Sequence, residues 1–325
     1  MLEGEEMKIL HVVPGLDNPF TGIAVAAKLI AGEQAAEMVD AREFGKIKDL
    51  AKYEEVWVHS CWLPMTLKAC RRVVKAKRSL VRMTHANLDP VRLRYHGWKK
   101  WLVGPIERYW LRRADRIVAT CDAEKTWIEA YLGKKCPEIE VTDIKRFFKL
   151  NGEMGIGKRE EGSNSKKLNV LYLGRRHPLK GVKYLEFAVE ELNYFCMSRV
   201  PGGEDGCIDL RIVSGAKGEE LEKVWEWCDV LVLPTLSENF GLVVAEALER
   251  GKRVITTDGA PAWGELGNGE WGRYPPSEAS PRSGCPSRGG NGEDVGGRLI
   301  YLKGFRGGSD AERVRLLKDA LMMMV

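Results

Sequence analysis

Apolar residues recur along the chain in short β-branched runs that alternate with longer stretches of helical period. The run MKILHVVPG (7 to 15) ends in Pro-Gly and gives way to GIAVAAKLIAGEQ (22 to 34), rich in Ala and Leu, which predicts a strand, a loop and a helix. EEVWVHS (54 to 60), SLVRMTH (79 to 85) and DRIVATC (115 to 121) predict three further strands. PMTLKACRRVVKAK and GWKKWLVGPIERYWLRRA, between them, have helical length and periodicity. Residues 157–167, polar and without an apolar position, read as a linker, after which the alternation restarts. It predicts strands at 168–174, 208–215, 229–234 and 253–258, with helices at 182–195, 218–227 and 241–251. A loop rich in Gly, Pro and Ser spans 274–297, and a strand (298–304) and a helix (309–325) follow.

Strands alternating with helices imply parallel sheets covered on both faces. The expected fold is α/β: two Rossmann-like domains facing a cleft, over residues 1–160 and 161–308, with helix 309–325 packing back on the first.

Composition, 44% hydrophobic and 30% charged, is that of a soluble globular chain. No run approaches the about 18 apolar residues of a membrane span, and MLEGEEMK is acidic where a secretory signal would be basic, so a cytoplasmic location is expected. The eight cysteines (61, 70, 121, 136, 196, 207, 228, 285) form no Cys-x-x-Cys pair and read as reduced core residues. The five histidines lack ligand spacing, so no metal site is expected. Net charge is only +5, but Thr66 to Arg116 holds fifteen Lys/Arg against three acids, a local +12 that leaves −7 elsewhere.

In open parallel sheets ligands sit beyond the carboxyl ends of the strands, so the loops there carry the chemistry. In LYLGRRHPLKG (171 to 181), Gly174 allows a tight turn, and Arg175 and Lys180 offer a guanidinium fork and a point charge suited to a diphosphate. A solvated basic turn is the plainer alternative. In PTLSENFGLVVAEALERGKRV, the loop through Glu238, Asn239, Phe240 and Gly241 opens a helix at about Leu242, whose first N–H groups suit an anion. Carboxylates touching that anion would repel it, so Glu238 and Glu246 suit the vicinal hydroxyls of neighbouring sugars. Thr21 and Gly22, at a helix start, could approach the reacting centre. Neither Gly-x-Gly-x-x-Gly nor a P-loop pattern occurs, which disfavours nicotinamide enzymes and P-loop NTPases.

Taken together, these residues resemble the retaining glycosyltransferases of family 4, which have the GT-B fold, most specifically over about 168–270. GRRHPLKG is similar to the family's Gly-Arg…Lys-Gly pattern, ENFGLVVAE to its pair of glutamates, and TTDGAPAWGEL (256 to 266) to the loop after the next strand. TGIAVAAKLI resembles the family's glycine-rich first loop, with Thr21 in place of the usual second glycine. The resemblance implies transfer of a sugar from a nucleotide-diphosphate donor with retention and without a cofactor or required metal. Arg175 and Lys180 would neutralise the diphosphate, Glu246 would hold the ribose, Glu238 the donor sugar, and His85 would line the cleft near that sugar. Asp89 would face the acceptor or cap the turn before Pro90. The family usually has an extra strand and helix before WCDVLVLP, where this chain has only about a dozen residues (Gly215 to Cys228). Trp225 or Trp227 could stack on the base there, or be core.

The segment RYHGWKKWLVGPIERYWLRRADR mixes cations with Trp98, Trp101, Tyr109 and Trp110, which suits an anionic membrane surface. The expected partners are a nucleotide-sugar, a glycan or lipid-linked acceptor of surface-polysaccharide or lipopolysaccharide type, and the inner membrane face through residues 66–116, with no nucleic acid. Two rival readings are a non-catalytic nucleotide-sugar- or glycan-binding subunit and a GT-B sugar-nucleotide epimerase.

Overall fold

The β-branched runs form strands where their pattern places them. A computed structural model of the chain describes residues 8–18, 22–95, 97–150, 167–199, 206–264, 266 and 299–325. These fall into two units, the first comprising residues to Phe147 together with Ser237–Gly241, the second Phe148–Leu236 and Leu242–Val325. Residues 157–166 of the expected linker (157–167) and the loop at 274–297 lie outside the described residues, as do Thr21 and Cys285.

Unit 1 runs β1 (Ile9–Val13), α1 (Gly22–Glu33), β2 (Glu37–Asp40), β3 (Glu55–His59), α2 (Pro64–Lys75) and β4 (Ser79–Met83). It continues with α3 (Pro90–Arg94), α4 (Gly97–Arg112), β5 (Arg116–Ala119), α5 (Asp122–Leu132) and β6 (Glu138–Val141). The sheet order is β2-β1-β3-β4-β5-β6, and the pairings are parallel. Period-two alternation sends Leu10, Val12, Val56, Val58, Leu80, Ile117 and Ala119 into one large core. Their neighbours His11 and Trp57 point to the opposite face. Edge strands β2 and β6 were not foreseen, because EMVD and EIEV are short, and half-exposed edge positions carry polar residues.

Unit 2 runs β7 (Leu168–Leu173), α6 (Val182–Arg199), β8 (Ile208–Val213), α7 (Gly218–Trp227), β9 (Val230–Leu233), α8 (Leu242–Glu249), β10 (Arg253–Thr257), β11 (Leu299–Leu302) and α9 (Asp310–Met322). The strand order β11-β10-β9-β7-β8 is again parallel. Helix α9 starts with a Ser309–Glu312 capping box. It packs on α6 of its own unit, with Lys318 bonded to Glu191 and Asp310 to Tyr184 and Lys183.

A correction concerns the cysteines. Cys196, late in α6, is disulfide-bonded to Cys207, just before β8, with Cα atoms 6.0 Å apart. Sequence spacing did not show this because pairing depends on proximity in space, which the α6–β8 connection supplies. Cys61, Cys70 and Cys228 are free and buried, as expected.

Candidate active site

Each sheet reverses its order once, between β1 and β3 and between β7 and β9, and loops leaving such a pair diverge to open a crevice at the carboxyl ends. In unit 1 the crevice holds a cavity of about 670 Å³, lined among others by Pro14, Gly15, Asn18, Arg42, Leu63 and Met65.

In unit 2 the β7/β9 pair brings GRRHPLKG beside the end of β9. Gly174 has φ +152° and Gly181 +66°, both unfavourable for other residues. A Cβ on Gly181 would lie 1.9 Å from the Pro234 carbonyl oxygen, so only glycine allows this approach. The loop is fastened by Leu236 N–H donating to Leu179 O (2.8 Å) and by Thr235 Oγ1 donating to the same oxygen (3.1 Å). His177 caps the short turn Pro178–Lys180 by accepting from Leu179 N–H. Arg175 is exposed and Lys180 half-buried on this fixed frame.

Glu246 lies half-buried in α8, as its place in an apolar run suggested. Burial pushes its carboxyl above the ordinary value, with Arg250 partly opposing that. A partly desolvated carboxylate whose burial is only partly offset is typical of a binding residue. Glu246→Gln should therefore leave the ligand-free protein at least as stable and, on the expectation that this carboxylate accepts from sugar hydroxyls, weaken binding of such a ligand by about 1.5 to 3 kcal/mol. Calorimetric titration and thermal melting of the two proteins check both halves.

Of the expected donor-side residues, Ser237–Gly241 groups with unit 1. Ser237 Oγ donates to Asp89 and accepts from Arg92 Nε (2.9 Å). Asn239 stands 3.1 Å from His85 Nδ1, through Nδ2, and 3.2 Å from Thr120 Oγ1, through Oδ1. Glu238 Oε1 accepts the Asn239 N–H (3.0 Å). Phe240 is a core side chain at 1% exposure, so only its backbone could serve a ligand. Gly241, φ +74°, turns the chain into α8 at Leu242. Gly22 is exposed at the start of α1.

His85 is fully buried, and burial lowers it to about pKa 3, so it is neutral. Its turn is strained. Left-handed backbone occurs at non-glycine residues Ser60 (φ 71°), Trp62 (69°), His85 (52°) and Ala86 (54°), all beyond the ends of β3 and β4. Buried Glu124 holds the His85 turn by accepting from Thr84 Oγ1 and Ala86 N–H, and its other oxygen accepts from Thr120 N–H (2.8 Å) and Oγ1 (2.7 Å). Asp89 caps α3 by accepting from Val91 N–H (2.8 Å).

Sequence reasoning missed Arg92, Thr120 and Glu124, which hold the site residues, and His11 and His59, discussed below. Their partners in the site lie 23 or more residues away, except for Thr120 and Glu124, which are four apart. Trp225, a base-stacking candidate, is core at 2% exposure, and Arg211 covers the Trp227 ring at 4.0 Å. The shortened stretch simply forms α7.

Residues 167–276 match the family model of the "Glycosyl transferases group 1". That group 1 match covers β7 to β10, the loops bearing Arg175, Lys180 and Glu238, and helix α8 with Glu246. Sucrose-phosphate synthase from Thermosynechococcus elongatus is similar over 98% of this chain and 90% of its own, with TM-score 0.63 and 12% identity. HepE of Anabaena, solved with UDP and glucose, is similar over 97% and 90%, with TM-score 0.54 and 16% identity. A UDP-forming trehalose-phosphate synthase from Burkholderia xenovorans is similar over 87% and 68%, with TM-score 0.52 and 12% identity. No curated protein matches the chain in sequence. The fold is GT-B, with two Rossmann-like domains. Among the described residues no helix is long and apolar enough to cross a membrane, and no group of His, Cys, Asp and Glu has metal-site geometry.

Proposed function

We propose that the chain is a retaining, metal-independent glycosyltransferase that moves a sugar from a nucleotide-diphosphate donor to a glycan or lipid-linked acceptor in bacterial surface-polysaccharide synthesis. The observation that carries this reading is the β7/β9 crevice, where a glycine-dependent loop with Arg175 and Lys180 is fastened beside β9 within the group 1 match. The solved HepE complex with UDP and glucose supports a donor of this class.

Arg175 and Lys180 take the diphosphate, Glu246 the ribose hydroxyls and Glu238 the donor sugar. The acceptor oxygen bonds to the anomeric carbon on the face the diphosphate leaves, the bond to the diphosphate breaks, and the departing phosphate takes the acceptor's proton. Charge stabilisation then dominates catalysis. Lys180→Ala should lower kcat by about 10²- to 10³-fold with a smaller change in donor KM. Steady-state kinetics with the donor base identified by binding check this, and product anomers by NMR check retention. Binding without turnover would favour a non-catalytic subunit.

The acceptor side is assigned to unit 1, whose α4 suits an anionic membrane. Trp98, Trp101, Leu102, Ile106 and Tyr109 are 51–77% exposed along one helical stripe, with Glu107 and Leu111 buried on the other side. Lys99 and Arg113 lie over the Trp98 and Tyr109 rings. Aromatic rings beside cations fit a headgroup layer. The protein should co-sediment with anionic but not neutral vesicles, and Trp98→Ser/Trp101→Ser should weaken this. Equal recovery with both lipids would contradict membrane docking.

A further inference from the structure

Three histidines from neighbouring strands form a continuous row inside unit 1. Gln34, just after α1, places Oε1 2.8 Å from His11 Nε2. His11 Nδ1 meets His59 Nε2 at 2.9 Å, and His59 Nδ1 meets His85 Nε2 at 2.8 Å. His85 Nδ1 meets Asn239 Nδ2 at 3.1 Å. All three imidazoles are fully buried, and His11 also stacks on Trp57 with ring centroids 4.9 Å apart.

A neutral imidazole has one donor nitrogen and one acceptor nitrogen. At each ring-to-ring contact a donor must face an acceptor, so the tautomer of one ring fixes the other two. The Gln34 carbonyl oxygen needs a proton on His11 Nε2, and the Asn239 amide nitrogen needs a bare His85 Nδ1. Both ends select the same arrangement, with every proton on Nε2. Reversing it requires a proton shift on each ring and rotation of both amides. Neither amide readily gains or loses a proton, so the row is suited to fixing a tautomer rather than conducting protons.

We propose that Gln34, His11 and His59 are positioning residues that fix the tautomer of His85 and so hold Asn239 and the adjoining Glu238 in one orientation. The role assigned to Glu238 rests on the glycosyltransferase reading; the tautomer lock does not. Because the row begins just after α1, a change at Gln34 reaches the Ser237–Gly241 segment through three imidazoles without touching it.

The test uses the full chain labelled with ¹⁵N-histidine, as wild type, Gln34→Leu and His11→Phe, the last keeping a ring against Trp57. Long-range ¹H–¹⁵N spectra should show all three wild-type rings as Nε2–H. In both variants only Asn239 still selects the arrangement, and rotation of that one amide admits the reverse one, so His85 should gain an Nδ1–H fraction absent from wild type and amide exchange at Asn239 and Phe240 should quicken, while the far-ultraviolet circular dichroism stays native. Should His11→Phe fail to fold, Gln34→Leu at the half-buried end of the row decides. A purely structural role would change melting but leave the His85 tautomer alone, and that result would overturn the proposal. So would a wild-type row with unlike tautomers. If UDP, GDP, ADP and CMP all fail to shift wild-type melting while the tautomer results hold, the donor reading falls and the lock stands.

Discussion

Glu107→Ala should destabilise unit 1 by about 3 to 5 kcal/mol, the range for stranding a buried charge. Glu107, on the buried side of α4, accepts from Arg82 Nη2 on β4 at 2.7 Å, and both side chains are fully buried. Its second oxygen accepts the Trp62 N–H (2.8 Å), fixing a left-handed residue beyond β3. Without it, Arg82 keeps, among the described residues, Ser60 O and the weak acceptors Cys70 Sγ and Cys61 Sγ, and its Nε has no partner among them. Arg82→Met/Glu107→Leu removes both charges and should recover most of the loss. Urea unfolding of the three proteins checks this, and a loss below about 1 kcal/mol in Glu107→Ala would show that the pair does not anchor α4. The pair also qualifies the basic segment, since Arg82 is a core residue and adds nothing to surface charge.

The second large effect is of pH. Burial lowers His11 to about pKa 4, His85 to about 3, and His59 well below the ordinary value. The unfolded chain therefore binds protons that the folded one refuses, and stability rises with pH. The contribution is fully present well above about pH 6.5 and is lost as pH falls toward the folded values. Each histidine contributes up to about 1.4 kcal/mol per pH unit in that window, so acidification from about pH 7.5 to about 5.5 should cost unit 1 roughly 4 kcal/mol. Urea midpoints at the two pH values, followed by amide exchange in β1, β3 and β4, measure it. His11→Phe should flatten the dependence by about one third, since it removes one of three titrating rings.

How much of this was legible depends on distance along the chain. The loop from Gly174 to Gly181 could be read because its glycines, Arg175 and Lys180 lie within eight residues of one another. Glu246 stood out as a carboxylate in an apolar run, and its half-buried position follows from that pattern. The central strands were apolar enough to recognise, whereas β2 and β6 at the sheet edges were not. The histidine row joins residues 48 and 26 positions apart, and Arg82 and Glu107 are 25 apart. Only parallel pairing, which sets His11 of β1 beside Trp57 of β3 and His59 beside Met83 of β4, brings the row together. A histidine within or ending each of two apolar strands, and another just past a third, was the one available signal.

The most direct test of the glycosyltransferase reading is thermal melting of wild type and Arg175→Ala against UDP, GDP, ADP, CMP and their common sugar conjugates, with EDTA present. Ligand at about 100 Kd stabilises by roughly 2.7 kcal/mol. The account predicts that one nucleoside diphosphate raises the melting temperature despite EDTA, and that Arg175→Ala abolishes the rise. No shift with any nucleotide, or an undiminished shift in the variant, would contradict it.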